Sequence, residues 1–192
     1  MHPDEAEQRK IREIGQKLVR NSVANASPYE YEFYLLADAN TINAFALPGG
    51  PVFITYALYS KLENEDQLAG ILGHEIGHVI GRHSAERIAQ LGFTNSVITG
   101  VAVGSGSQET SQAAAVIGNL VNMKYGRGDE LESDNLGVKI MIDAGYDPQE
   151  MLDVMQILKE SAGPNRTPEF QSTHPDPENR MEKIREAIEQ HQ

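Results

Sequence analysis

The sequence contains no cysteine. Disulfides and thiolate metal sites are therefore excluded, and any bound metal must be held by His, Asp or Glu. The absence leaves the compartment open, because exported proteins need not carry cystines. Positive charge is scarce: 16 Lys and Arg against 28 Asp and Glu give a formal net charge of −12. A nucleic-acid partner needs a basic face to meet phosphate, so none is expected, and the acidity reads as solubility. The opening Met1-His2-Pro3-Asp4-Glu5 has no basic n-region followed by an apolar h-region. It reads as a mature or truncated start, which leaves any membrane association to parts absent from this chain. Long hydrophobic runs are missing too. The longest uncharged stretch, between Arg87 and Glu109, is broken by Gln90, Gly92, Asn95, Gly100, Gly104 and Gly106. A membrane span would be more uniformly apolar, so residues 92–107 are expected to form a mobile loop or a lid facing substrate. No internal repeat is found.

What remains is the composition of a globular domain: 192 residues, 40% hydrophobic and 23% charged, enough chain for one substantial core. Ile11, Ile14 and Leu18 form an apolar stripe on a helix from Asp4 to about Arg20. Tyr31, Phe33 and Leu35 alternate with Glu32, Tyr34 and Leu36 in a short strand. Residues 42–47 and 52–54 flank Pro48-Gly49-Gly50 and read as a hairpin, after which Thr55 caps a short helix through Leu62. Asn64, with Gln67 three residues on, opens a helix apolar over a broad face. Further helices are expected over 112–125, over 129–144 and, with Asp147 as its cap and Pro148 in its first turn, from 148 to just before Gly163, then a loop to His174, then a last helix from Pro177 to about Glu189. The expected class is α+β: helix-rich, with a small antiparallel sheet of about three strands.

The buried-looking helix contains Gly73-His74-Glu75-Ile76-Gly77-His78. Residues four apart lie about 40° apart around a helix axis, so His74 and His78 share a face. That geometry suits two corners of a tetrahedral Zn²⁺ site, with Glu75 placed to take a proton from water. The H-E-x-x-H pattern is a metalloprotease signature. Gly73, Gly77 and Gly81 cost helix propensity but let another element approach closely, as a crowded metal site needs.

A catalytic zinc takes three protein ligands. His83 is the nearest candidate, but on a continuing helix it would point about 140° away from His78, so an exposed or core-lining role is expected for it. The stronger candidate is Glu130. It shares a helical face with Asp134, whereas Glu132 turns about 200° away. Asp134 is then the carboxylate behind a metal-bound histidine. Asp129 and Glu132 read as a solvated acidic helix start.

His74-Glu75-x-x-His78 followed by Arg127-x-x-Glu130-x-Glu132-x-Asp134 resembles the gluzincin metallopeptidases, which include the CAAX prenyl proteases, the HtpX heat-shock proteases and bacterial periplasmic proteases of outer-membrane quality control. Asn43 to Gly50 resembles that family's substrate-side strand and turn, and Thr173-His174-Pro175 with Arg180 resembles its C-terminal histidine–arginine motif. Gly126 and Ser133 depart from the usual Ser and Ala without removing a ligand. The resemblance implies a zincin-like fold with residues 1–192 as one metallopeptidase domain, closest to the soluble periplasmic branch. It implies one Zn²⁺ per chain on His74, His78 and Glu130, Glu75 as general base, and His174 and Arg180 as groups that stabilise the oxyanion. It also implies protein or peptide substrates, misfolded or envelope proteins among them. The competing reading is a zinc-binding, chaperone-like interaction module whose proteolysis is gated or absent.

Overall fold

The computed structural model describes residues 1–90, 124–161, 169–175 and 179–192. Helix α1 (Glu5–Arg20) starts where the Asp4 carboxylate accepts hydrogen bonds from the Ala6 and Glu7 amides. It buries Ile11, Ile14 and Leu18 and lies against strand β1 (Glu32–Leu36). One polar side chain fixes that contact. Gln8 Nε2 donates to Phe33 O at 3.0 Å, and Gln8 Oε1 accepts from Leu35 N at 2.9 Å, so an amide group pairs with the strand edge as a neighbouring strand would.

Strands β2 (Ala44–Ala46) and β3 (Pro51–Thr55) form the expected hairpin, with Gly49 and Gly50 at φ of 96° and 124° in its turn. The three-stranded sheet has the order β1-β3-β2. It is mixed rather than antiparallel throughout. β2 pairs antiparallel with β3, but β1 pairs parallel with it, Phe33 opposite Val52 and Leu35 opposite Ile54. The segment between β1 and β2 carries the chain past the place β3 will fill, so the hairpin's return strand runs alongside β1 in the same direction. β2 is left at the sheet's edge among the described residues.

Thr55 accepts from Leu58 N and starts the short helix α2 (Tyr56–Tyr59). Asn64 accepts from Gln67 N at 2.8 Å and starts α3 (Glu65–Ile80). Every α3 residue from Gln67 to Val79 is buried, so this helix is the centre of the core. It packs against α1, β2, α5 (Arg127–Asp143) and α6 (Glu150–Glu160). The crossing with α5 depends on small residues. A Cβ on Gly77 would lie 2.8 Å from Ser133 O, and one on Gly137 would lie 3.0 Å from His74 N. Close backbone approach at this crossing sets how near the α5 side chains come to His74 and His78.

Helix α4 (His83–Gln90) follows a turn at Gly81 and Arg82, and Arg82 has a φ of 59°. The loop expected before His174 contains a short helix, α7 (Glu169–Thr173), and α8 (Arg180–His191) ends the chain. Lys124 and Tyr125 lie outside any helix, unlike the expectation for 112–125. The rest of that expected helix, the 92–107 segment, Gly163-Pro164 and Asp176-Pro177 lie outside the described residues. Among the described residues no helix is long and apolar enough to cross a membrane.

Candidate metal centre

α3, α5, α7 and α8 meet at His74, Glu75, His78, Glu130, Asp134, His174 and Arg180, all of them buried. One donor atom from each of His74, His78, Glu130 and His174 lies within 4.8 Å of the other three. His74 Nε2 and His78 Nε2 face each other at 3.0 Å. Glu130 Oε2 is 3.6 Å from His74 Nε2, and Glu130 Oε1 is 3.5 Å from His78 Nε2. Glu132, whose side chain is 60% exposed, stays out of this cluster. Both carboxylates expected from α5 are therefore where helical periodicity places them.

Behind these atoms sits a second set of contacts. Asp134 Oδ1 accepts from His74 Nδ1 at 2.9 Å, which turns His74 Nε2 inward as a bare lone pair. Arg180 grips Asp134 with two nitrogens, Nε to Oδ2 at 2.7 Å and Nη2 to Oδ1 at 2.9 Å, and reaches Glu130 Oε2 with Nη1 at 3.1 Å. One guanidinium thus spans both carboxylates of the α5 face, a planar fork matched to two acceptors. His174 Nδ1 lies 3.2 Å from the Phe170 carbonyl, which only accepts, so the ring proton sits on Nδ1 and Nε2 points to the centre. Phe170 stacks on the His174 ring at 4.3 Å.

Burial raises the Asp134 pKa, yet the Arg180 guanidinium and the His74 hydrogen bond outweigh it and hold that pKa down to about 2. Burial pushes Glu75 up to about 8, with His74 opposing and the Glu130 carboxylate reinforcing the push. His78 and His174 are both driven well below the ordinary 6.5, by burial first and by His74 next, so both rings are neutral at pH 7. Neutral imidazoles with inward lone pairs are the form in which histidine binds metal.

The fit to a cation follows from these contacts. Glu75 Oε1 and Oε2 and His174 Nε2 are buried without a hydrogen bond of good geometry among the described residues, although Glu75 Oε1 lies 3.4 Å from His174 Nε2. Three imidazole nitrogens and one carboxylate, all N and O donors, match zinc.

These shifts set an expected pH profile for the metal-free protein. Lowered His78 and His174 cost stability as pH falls below 6.5, because only the unfolded chain takes up those protons. Raised Glu75 costs stability as pH climbs from 4.5 to about 8, because the folded state keeps a proton that the unfolded chain has released. Below pH 6.5 two groups outweigh one, and above it Glu75 acts alone. Unfolding free energy should therefore peak near pH 6.5 and fall by about 1.4 kcal/mol per pH unit on each side. Urea denaturation of chelator-treated protein at about pH 5.5, 6.5 and 7.5 checks this. Glu75→Gln should flatten the alkaline side and steepen the acid side to about 2.7 kcal/mol per pH unit, because Glu75 no longer opposes the two histidines there.

Four contacts around these rings were not foreseen from the sequence. His83 Nδ1 lies 2.9 Å from His78 Nδ1, Tyr125 stacks on His78 at 3.9 Å, Ser84 Oγ bonds the Tyr125 hydroxyl at 2.8 Å, and Phe170 backs His174. His83 stays outside the ligand cluster as expected, but the reason differs. α3 ends at Ile80, and the positive φ of Arg82 folds His83 back beneath His78, where it is 4% exposed. No periodic pattern carries that signal.

Comparison with known proteins agrees with the geometry. The chain is 33% identical over 192 residues to a beta-barrel assembly-enhancing protease of Yersinia pestis, covering 94% of this chain and 38% of that protein. It is 33% identical over 170 residues to the mitochondrial metalloendopeptidase OMA1 of Schizosaccharomyces pombe, covering 87% of this chain and 49% of that protein. Metalloprotease YcaL of Escherichia coli is 28% identical, with 90% and 66% covered. The chain thus spans less than half the length of the first two. The family model described as peptidase family M48 matches residues 5–188, most of the sequence and every residue of the cluster. By that match, and by the donor set built on α3 and α5, the chain belongs to peptidase family M48.

Proposed function

We propose that residues 1–192 form one metallopeptidase domain that hydrolyses internal peptide bonds of protein substrates with one zinc ion. The observation that carries this reading is the placement of Glu75, wholly buried, beside four converging donor atoms. His74, His78 and Glu130 would hold the metal, with Asp134 and Arg180 fixing His74 and Glu130 from behind. Zinc, when bound, supplies an acidified water and a Lewis acid for the peptide carbonyl. Glu75 takes the proton from the attacking water and returns it to the leaving amine. A cation held by the neighbouring rings opposes the push of burial and keeps Glu75 ionised for that task.

His174 is the fourth donor, and a catalytic site needs an open position. We read the four-donor arrangement as a resting state. Once withdrawn from the donor set and protonated at Nε2, His174 is the group placed to donate to the oxyanion, because Arg180 is engaged with Asp134 and Glu130. Edge strand β2 offers a place for an extended peptide. Residues 43 and 47 bond to β3, so by alternation Ala44 and Ala46 turn their backbone groups away from it, and a peptide there would replace the bond that Ala46 O accepts from Ser84 Oγ at 3.3 Å. A cavity of about 140 Å³ lined by Leu47, Pro48, Val79, Arg82 and Ser84 adjoins His78 and can receive a substrate side chain. The relatives named beta-barrel assembly-enhancing proteases make a periplasmic or envelope location and envelope-protein substrates the favoured setting.

The ligand choice is tested with two α5 variants. Glu130→Gln should purify with little zinc and cleave no casein, while Glu132→Gln should keep about one zinc per chain and full cleavage. The reverse pattern sinks the assignment. A wild type that binds zinc and cleaves neither casein nor an outer-membrane protein would favour the interaction-module reading.

A further inference from the structure

The two zinc-facing histidines of α3 are backed differently. His74 has the Asp134 carboxylate behind it, which can only accept, so its proton is fixed on Nδ1. His78 has another neutral-capable ring behind it: His83 Nδ1, at 2.9 Å. Two imidazoles in contact through one nitrogen each share a single proton, and either ring can carry it. If His83 donated, His78 would carry its own proton on Nε2, pointing at His74 Nε2 3.0 Å away, and could not bind a metal there. If His83 accepts, His78 Nε2 is bare.

We propose that His83 is a positioning residue for the metal centre. It accepts the His78 Nδ1 proton and so holds His78 as a ligand with a free Nε2; the inference rests on the zinc-peptidase reading above. The surroundings of His83 favour this tautomer. Its own proton then sits on Nε2, 3.5 Å from Glu132 Oε2, which only accepts when ionised. The Ser133 hydroxyl, 3.2 Å from His83 Nδ1, can donate or accept and is compatible with either tautomer. The choice between the two tautomers only relocates protons within the pair and changes no charge. It is the role a carboxylate or backbone carbonyl usually fills behind a metal-bound histidine, here given to an imidazole by the turn at Arg82. Glu132→Gln keeps an acceptor oxygen at the outer end and should leave zinc binding intact.

The test uses the whole chain and zinc alone as the probe, by competition against a chelator of known affinity. His83→Leu removes the acceptor at similar volume and should weaken zinc binding by about 10–100-fold. His83→Asn places Oδ1 close to where Nδ1 stood and should recover most of that loss. Zinc-free far-UV circular dichroism and urea midpoints establish that both variants fold. In the zinc-loaded wild type, ¹⁵N spectra of the imidazoles provide a readout that needs no variant: His78 should carry its proton on Nδ1 and His83 on Nε2. Unchanged zinc affinity in folded His83→Leu, or a His83 proton on Nδ1 in the loaded wild type, overturns the inference. A wild type that binds no zinc at all overturns the peptidase reading instead, which keeps the two failures apart.

Discussion

Glu75→Gln should lower the rate of peptide cleavage by about 10²–10⁴-fold while the protein keeps about one zinc per chain. Gln matches Glu in size and can still hydrogen-bond, but it cannot take a proton from water or return one to an amine. The side chain is buried and lies next to the donor cluster without belonging to it, so metal content should be insensitive to the change. The measurement is paired: metal analysis, and kcat/KM on a fluorogenic peptide or casein, for wild type and variant. The expected loss falls mainly on kcat, because a proton-transfer group acts in the transition state rather than in substrate binding. A variant that keeps zinc and retains more than about a tenth of the activity would remove Glu75 from the chemistry. A variant that loses its zinc would mean that Glu75 helps hold the metal.

Arg180→Met should destabilise the zinc-free protein by about 3–5 kcal/mol, the usual result of removing one member of a buried ion pair. Arg180 is 2% exposed, Asp134 is 1% exposed and Glu130 is fully buried, so neither carboxylate has water to turn to. Met fills most of the space, which isolates the charge effect from a cavity effect. The two carboxylates would respond by binding protons, and the Asp134 pKa should rise far above about 2. Zinc should restore part of the loss, because a cation on Glu130 replaces, for that carboxylate, the guanidinium that Glu130 and Asp134 shared. Arg180→Lys should recover little, since a single ammonium cannot span Asp134 and Glu130 as the guanidinium fork does. Urea unfolding with and without zinc measures both effects. A loss below about 1 kcal/mol would show that Arg180 is not what keeps these carboxylates buried.

The elements that position the centre were legible because they follow local rules. Thr55 and Asn64 cap the helices they were expected to cap, since capping needs only a short polar side chain beside free amides. The alternation of Tyr31, Phe33 and Leu35 with Glu32, Tyr34 and Leu36 marked β1, and Pro48-Gly49-Gly50 marked the turn before β3. The strand partners were not legible. Hydrophobic alternation is the same for parallel and antiparallel pairing, so only the path of the chain between β1 and β2 decided that the sheet is mixed. The short helix α7 was missed for a related reason. Five residues carry too little periodicity to be told from loop, and this one is anchored by Phe170 N bonding to Ile42 O, a contact remote in sequence.

By itself, the sequence determined which residues share a helical face: His74 with His78, and Glu130 with Asp134 but not Glu132. The 3.6-residue repeat fixes such relations wherever a helix forms. Only the tertiary structure decided what those faces meet. The close α3–α5 crossing at Gly77 and Gly137 brings Glu130 to the two rings, and the guanidinium from α8 clamps both carboxylates of α5. The left-handed turn at Arg82 folds His83 behind His78, where a continuing helix would have sent it elsewhere. These depend on where one helix stops and how closely two backbones approach, and neither quantity is carried by a spacing along the chain.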